Sequence, residues 1–110
     1  MKVMLVNGSP HAHGCTDAAL REVASALNAD GIDTEIFWIG NTPIGGCIAC
    51  GGCSKAGKCV FGGSVNDFAE KAKDADGFVF GTPVHYAAAS GNMTAFMDRL
   101  FYSAPKETFC

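Results

Sequence analysis

Two short runs, residues 2–6 (KVMLV) and residues 77–81 (GFVFG), constrain the fold of this chain more than any other feature. Both are apolar at nearly every position and lack the alternation of a strand with one wet face. A strand buried on both sides belongs to a parallel sheet covered by helices. What lies between the two runs fits that plan. After the loop NGSPHAHGC, Thr16 is the expected N-cap of a helix, because Leu20, Val23, Ala24 and Leu27 recur at helical spacing with Asp17, Arg21 and Glu22 facing away. Residues 33–39 (DTEIFWI) are rich in β-branched and aromatic side chains and predict a second strand. Ser64 is the expected cap of a short helix that turns Phe68, Ala72 and Ala75 inward. GFVFG is the third strand and TPVHYAAASGN a loop. Met93, Phe96, Met97, Leu100 and Phe101 mark the inner face of a last helix.

Strands alternating with helices imply the α/β class, a doubly wound parallel sheet with helices on both faces, within one domain spanning residues 1–110. The sheet is short. Such sheets have about five strands, and this sequence offers about three. With a spatial order of 2-1-3 the third strand lies at an open edge, and GFVFG is too apolar for a bare one. The expectation is a homo-oligomer covering that edge, or a truncated form of a longer chain.

An apolar fraction of 48% supports a packed core, and a formal net charge of −3 offers no basic stripe for nucleic acid or an anionic membrane. No apolar run approaches the roughly 20 residues of a membrane span. The first residues lack the apolar core and cleavage site of a signal peptide. The expected location is the cytoplasm, with no nucleic-acid or membrane partner.

Residues 40–63 have no period. They hold eight glycines among 24 residues and the four cysteines Cys47, Cys50, Cys53 and Cys59. This reads as a long loop between the second strand and second helix, and long loops are usually functional. Clustered thiols in a reducing compartment point to metal or redox chemistry instead of a disulfide scaffold. The spacing C-x2-C-x2-C with a fourth cysteine beyond suits a [4Fe–4S] cluster. A four-thiolate zinc site, a C-x2-C dithiol, a disulfide and an unused thiol loop remain alternatives. Lys55 and Lys58 are placed to offset cluster charge. Cys15 and Cys110 stand apart and read as free thiols, and Asp98 and Arg99 as surface or interhelix contacts.

Two other loops share one rim of the sheet. The first, GSPHAHGCT, joins strand to helix where unpaired N–H groups suit a phosphate, with Ser9, Thr16, His11 and His13 as further donors. It matches neither GxGxxG nor the Walker loop. The other, TPVHYAAASGNM, follows the third strand, and its backbone, His85 and Tyr86 can cradle a flat heteroaromatic ring.

The pairing of VNGSPHAHGCT with GTPVHYAAASGNMTAFMDRL resembles the flavodoxin-like NAD(P)H-dependent FMN reductase family, and the cysteine spacing resembles its iron–sulfur flavoproteins. The resemblance runs from Val3 to Arg99. It implies a flavodoxin-like fold, here an incomplete FMN-binding domain, and an FMN-binding oxidoreductase with NAD(P)H as electron donor. Its acceptor would be a small molecule or a protein, and electrons would pass through a [4Fe–4S] cluster on Cys47, Cys50, Cys53 and Cys59. Ser9, His11, Cys15 and Thr16 would surround the FMN phosphate. Pro83, Val84, His85 and Tyr86 would line the ring and ribityl chain, with Ser90 and Gly91 closing the loop. Members commonly carry Arg at the position of His11 and Asn at that of Cys15, so the cup is less cationic here. The family continues for two more strands and helices past FYSAPKETFC. No protein side chain is expected to act as acid or base, since the flavin carries that chemistry. A non-enzymatic iron–sulfur flavoprotein electron carrier and a cofactor-free remnant are the alternative readings.

Overall fold

The computed structural model describes residues 1–109; the expectation for Cys110 lies outside them. Three parallel strands form the sheet: β1 (Lys2–Asn7), β2 (Asp33–Trp38) and β3 (Gly77–Gly81), in the order β2-β1-β3. Leu5 stands opposite Ile36 on one side and Val79 on the other. Side chains alternate across the sheet, as the period of two requires. Met4, Val6, Phe37, Phe78 and Phe80 face one way, and Val3, Leu5, Ile36 and Val79 the other. This is the flavodoxin-like arrangement read from the sequence.

Helix α1 (Cys15–Ala29) covers the second face through Leu20 and Ala24. Its stripe is turned from the expected one. Val23 is exposed, and Asp17, expected in solvent, is buried. Arg21 donates to Asp17 at 2.8 Å, which makes the carboxylate tolerable there. Thr16 is not the cap. The Gly14 carbonyl already accepts from the Ala18 N–H at 3.0 Å, so Thr16 is the second helical residue.

The other face is covered by α3 (Ser64–Ala72) and α4 (Gly91–Ser103), which bury Val65, Phe68, Ala72, Met93, Phe96 and Leu100. Ser64 opens α3 without capping it. Gly63, at φ 80°, precedes it, and its carbonyl accepts from both Asn66 and Asp67. Three features are not expected from the sequence: a short helix in the cysteine loop, a hairpin after β3 and a last turn of helix. A short helix, α2 (Cys53–Ala56), interrupts the 40–63 loop. Residues 84–89 form a hairpin, β4 (Val84–His85) against β5 (Ala88–Ala89), instead of an open loop. A further turn of helix, α5 (Lys106–Phe109), lays Phe109 against Phe78 at 4.8 Å and Phe101 at 5.1 Å. That contact half-covers the aromatic face of β3. Among the described residues β3 pairs only with β1, so the hydrogen-bonding groups of its outer edge are what remains open. No described helix is long and apolar enough to cross a membrane.

Candidate functional site

The C-terminal ends of β1 and β3 adjoin, so the loops that follow them share one rim. The link is direct. Ser90, the N-cap of α4, accepts from the Met93 N–H at 3.2 Å and donates its hydroxyl to the Gly8 carbonyl at 3.0 Å. Thr82 Oγ1 accepts from the Ser90 N–H at 3.0 Å. Gly8 itself donates to Gly81 across the strand ends at 2.8 Å. Gly8 has no room for a side chain, because a Cβ there would stand 2.8 Å from Met93 Sδ and 2.9 Å from Met93 Cβ.

Two residues absent from the sequence-based site shape the first loop. Asn7, fully buried, accepts from the Ser9 N–H at 2.9 Å and donates to the Ala12 carbonyl at 3.3 Å. Trp38, from the end of β2, donates its indole N–H to the Ser9 carbonyl at 2.8 Å. Ser9 is buried, and its hydroxyl oxygen accepts from His11 N–H at 3.1 Å, so it braces the turn. Cys15 and Thr16 occupy the first two positions of α1. Their N–H groups and that of Asp17 precede the first internal bond of the helix, so they are left as three donors beside a partial positive charge, an arrangement suited to an anion. His11 and His13 are the nearby imidazoles, and both are exposed. His13 lies 3.7 Å from the Asp17 carboxylate. The Arg21 hydrogen bond holds Asp17 below the ordinary carboxylate value against the opposing effect of burial, with the Arg21 and His13 charges adding to it.

On the neighbouring loop Pro83 is half-buried, while Val84, His85 and Tyr86 are exposed. Tyr86 (φ 49°) and Ala87 (φ 63°) form the hairpin turn with both central residues left-handed. Turns of this kind ordinarily take Asn or Gly. A bulky side chain there is strained by about 1–2 kcal/mol per residue. Tyr86, at the tip of this turn, is fully exposed. Ser90 closes this loop through its contact with Gly8, and Gly91 begins α4.

The cysteines gather at a second place. Cys47, Cys50, Cys53 and Cys59 all line one pocket, together with Ile48, Phe61, Arg99 and Tyr102. All five described cysteines are free thiols. N–H groups already point at two of the sulfurs. Ala49, at φ 56°, donates to Cys47 Sγ at 3.4 Å, and Arg99 Nε donates to Cys59 Sγ at 3.3 Å. Burial pushes the Cys59 thiol up, but the Phe61 N–H, the Arg99 guanidinium and the Gly62 N–H outweigh it and bring the thiol below its ordinary value. Asn66 of α3 donates to the Cys59 carbonyl at 2.7 Å, although its own Oδ1 is buried without a partner.

Four sulfurs around one pocket, some already solvated by N–H donors, fit the ligand chemistry of a [4Fe–4S] cluster. They suit a single zinc ion less well, since that requires sulfurs converging at about 2.3 Å. Among the described residues no three His, Cys, Asp or Glu side chains are grouped around one ion position. The pocket has about 20 Å³ of free space, roughly one water. Seating a cubane therefore requires the exposed part of the loop to move outward.

Arg99, expected as a surface or interhelix contact, is buried and contacts the cysteine loop instead, donating also to the Gly62 carbonyl at 2.7 Å. Its place on the helix was readable in one respect, since it follows Phe96 by three residues and so shares that face. Lys55 and Lys58 are exposed. Helix α4 connects the two places. Ser90 at its start holds the first rim, and Asn92 binds the loop at Ile44 N (3.0 Å) and Thr42 O (3.1 Å). Arg99, nine residues past Ser90, holds the cysteine pocket, about 14 Å further along the axis.

Comparison with known proteins gives this arrangement its relatives. An iron-sulfur flavoprotein of Methanocaldococcus jannaschii is 35% identical over 90% of this chain and 51% of its own length. Iron-sulfur flavoproteins of Archaeoglobus fulgidus and Clostridioides difficile are 27% and 30% identical, over 91% and 90% of this chain and 46% and 45% of theirs. The chain thus spans about half the length of the curated relatives it matches. The family described as NADPH-dependent FMN reductase matches residues 1–109. The chain belongs to that family of flavin oxidoreductases.

Proposed function

We propose that this chain binds FMN at the rim formed by its first and third strands and serves an NAD(P)H-dependent flavin oxidoreductase that relays electrons through a [4Fe–4S] cluster. The observation that carries this reading is the shared helix. One end of α4 fastens the two rim loops together through Ser90 and Gly8, and the other lines the four-cysteine pocket through Arg99 and Tyr102. In this reading the open N–H groups of Cys15 and Thr16, with His11 and the Ser9-braced turn, hold the FMN phosphate. The backbone of Pro83, Val84 and His85 borders the ring, and Tyr86 covers it from the strained tip. Ser90 and Gly91 fix the distance between the two. Cys47, Cys50, Cys53 and Cys59 hold the cluster. Bound, the flavin would supply hydride and single-electron chemistry and the cluster single-electron chemistry alone. The protein contributes binding, orientation and hydrogen bonds. The acceptor is a small molecule or a redox protein, and self-association at the open edge of β3 belongs to the same proposal.

The test is anaerobic. Calorimetric titration of the purified chain with FMN should give one saturable site, and Tyr86→Ala should weaken it by about tenfold, in the range of one lost aromatic stacking contact of about 1–3 kcal/mol. No heat of binding with excess FMN would refute the flavin reading. After reconstitution with ferrous iron and sulfide, a broad visible absorption lost in Cys50→Ser supports the cluster, and a colourless wild type excludes it. Bleaching of bound FMN by NADPH or NADH separates a reductase from an electron carrier, which would leave the flavin oxidised. Light scattering should show a species larger than the monomer at high concentration, and a strict monomer removes self-association.

A further inference from the structure

The four cysteines are not held alike. Cys47 and Cys50 are exposed on a glycine-rich segment. Cys59 is fixed from three directions: Asn66 on its carbonyl, Arg99 on its sulfur, and Arg99 again on the Gly62 carbonyl just beyond. Gly62, at φ 65°, gives the turn that returns this carbonyl to the guanidinium. Arg99 is buried on α4, and among the described residues it makes no ion pair. A buried cation without an anion is expensive. Here the atoms closest to its charge are a thiol sulfur and a carbonyl oxygen, facing a pocket lined by four cysteines. A cluster ligated by four thiolates carries net negative charge, and more of it after gaining an electron. Among the described residues the guanidinium therefore has no counter-ion, and a thiolate-ligated cluster in the pocket would supply one.

We infer that Arg99 is the positioning residue of the cysteine pocket: it holds Cys59 as the fixed ligand around which the other three close, and its charge favours the reduced form of the cluster. The inference rests on the cluster reading above. One electron enters the cluster on reduction, and Arg99 keeps its protons throughout, so it acts by field and hydrogen bond alone.

Three forms of the full chain decide the matter: wild type, Arg99→Gln, which keeps a donor without charge, and Arg99→Lys, which keeps the charge without the fork. Each is reconstituted anaerobically with ferrous iron and sulfide, assayed for iron, and titrated with dithionite under redox mediators. Circular dichroism melts of the iron-free proteins report folding separately. Arg99→Gln should lower the reduction potential by at least tenfold in the one-electron equilibrium, about 59 mV. Arg99→Lys should stay close to wild type in potential and release iron to a chelator at least tenfold faster. A merely structural arginine would move the melting temperature and leave the potential in place. Equal potentials in wild type and Arg99→Gln at equal iron content overturn the charge role, and wild-type iron release in Arg99→Lys overturns the positioning role. If Arg99→Gln does not fold, the two Arg99→Lys readings decide. A wild-type chain that takes up no iron removes the cluster reading and this inference together, whereas iron uptake with unchanged variants removes the inference alone.

Discussion

The two faces of the sheet are built to different depths. On one, Met4 and Val6 meet Phe37, Phe78 and Phe80 under a layer of Phe68, Phe96 and Leu100 from two helices. Phe68 alone stacks edge-on against Phe37, Phe78, Phe80 and Phe96, with centroids 5.2–6.4 Å apart. On the other, Val3 and Leu5 are covered by Leu20 and Ala24 of the single helix α1. The deep face carries α4, and with it both the Ser90 contact and the Arg99 pocket. The shallow face carries only the start of α1 and its row of open N–H groups. The elements that fix geometry between the two candidate sites stand on the thick side, and the element proposed above to hold a phosphate stands on the thin one.

The strongest challenge to this contrast is to cut one large side chain from each face. Phe68→Ala removes the hub of the aromatic layer and should cost about 3–5 kcal/mol. Leu20→Ala should fall at the low end of the leucine range, about 2 kcal/mol, because a one-helix layer can settle toward the sheet and shrink the cavity. Urea unfolding of both variants at a common slope measures the difference. Equal losses would mean that depth of cover does not govern rigidity here.

A smaller effect is expected where the faces meet, at the rim. Gly8→Ala drives a methyl group into Met93, and a clash of this kind costs about 1–3 kcal/mol. The Met93 Cβ, 2.9 Å away, cannot swing aside as the sulfur can. Met93→Ala should therefore rescue Gly8→Ala only in part. Complete rescue would show that the thioether alone enforces the glycine. Because the Gly8 carbonyl accepts from Ser90, FMN affinity should fall along with stability, whereas Phe68→Ala should spare it in the fraction that stays folded.

The same division marks what the sequence could reveal. Strands β1 and β3 and the inner face of α4 were legible because their apolar residues follow the period of the element itself, and the adjacency of the two rim loops followed from the topology. Side chains whose role depends on a distant partner were not. Asn7 reads as the first residue of the loop after the first strand, yet it is fully buried and organises the turn through Ser9 and Ala12. Arg99 reads as a surface or interhelix contact, and its actual partners lie on the cysteine loop that returns over α4. Asp17 reads as a solvent-facing charge, because the sequence does not show that the Arg21 pairing lets it turn inward. The hairpin was hidden by Tyr86 and Ala87, neither of them a usual residue for a turn with two positive φ angles.

The smallest effect concerns charge on each face. On the deep side Glu35 of β2 accepts from Lys71 of α3 at 2.6 Å and Lys2 of β1 at 3.1 Å, tying three elements together. The Lys71 hydrogen bond, aided by Lys2 and opposed by partial burial, holds Glu35 below its usual range. On the shallow side Asp17 is lowered by Arg21 in the same way. A carboxylate whose folded value is depressed gives its full contribution above the unfolded value, about 4 for these groups. The contribution is lost as pH falls through the folded value, because the unfolded chain then binds more protons. Stability attributable to these pairs should be constant above about pH 5 and decline below about pH 4. Glu35→Gln should flatten that decline by no more than about 1 kcal/mol, because the Lys partners are solvent-accessible. Raising the salt concentration should shrink the same difference. Urea titrations at stepped pH, in low and high salt, measure both. If the wild-type and Glu35→Gln curves run parallel down to pH 3 while Asp17→Asn flattens the limb, the shallow face carries the acid sensitivity. The three-element tie on the deep face then adds nothing that its packing does not already supply.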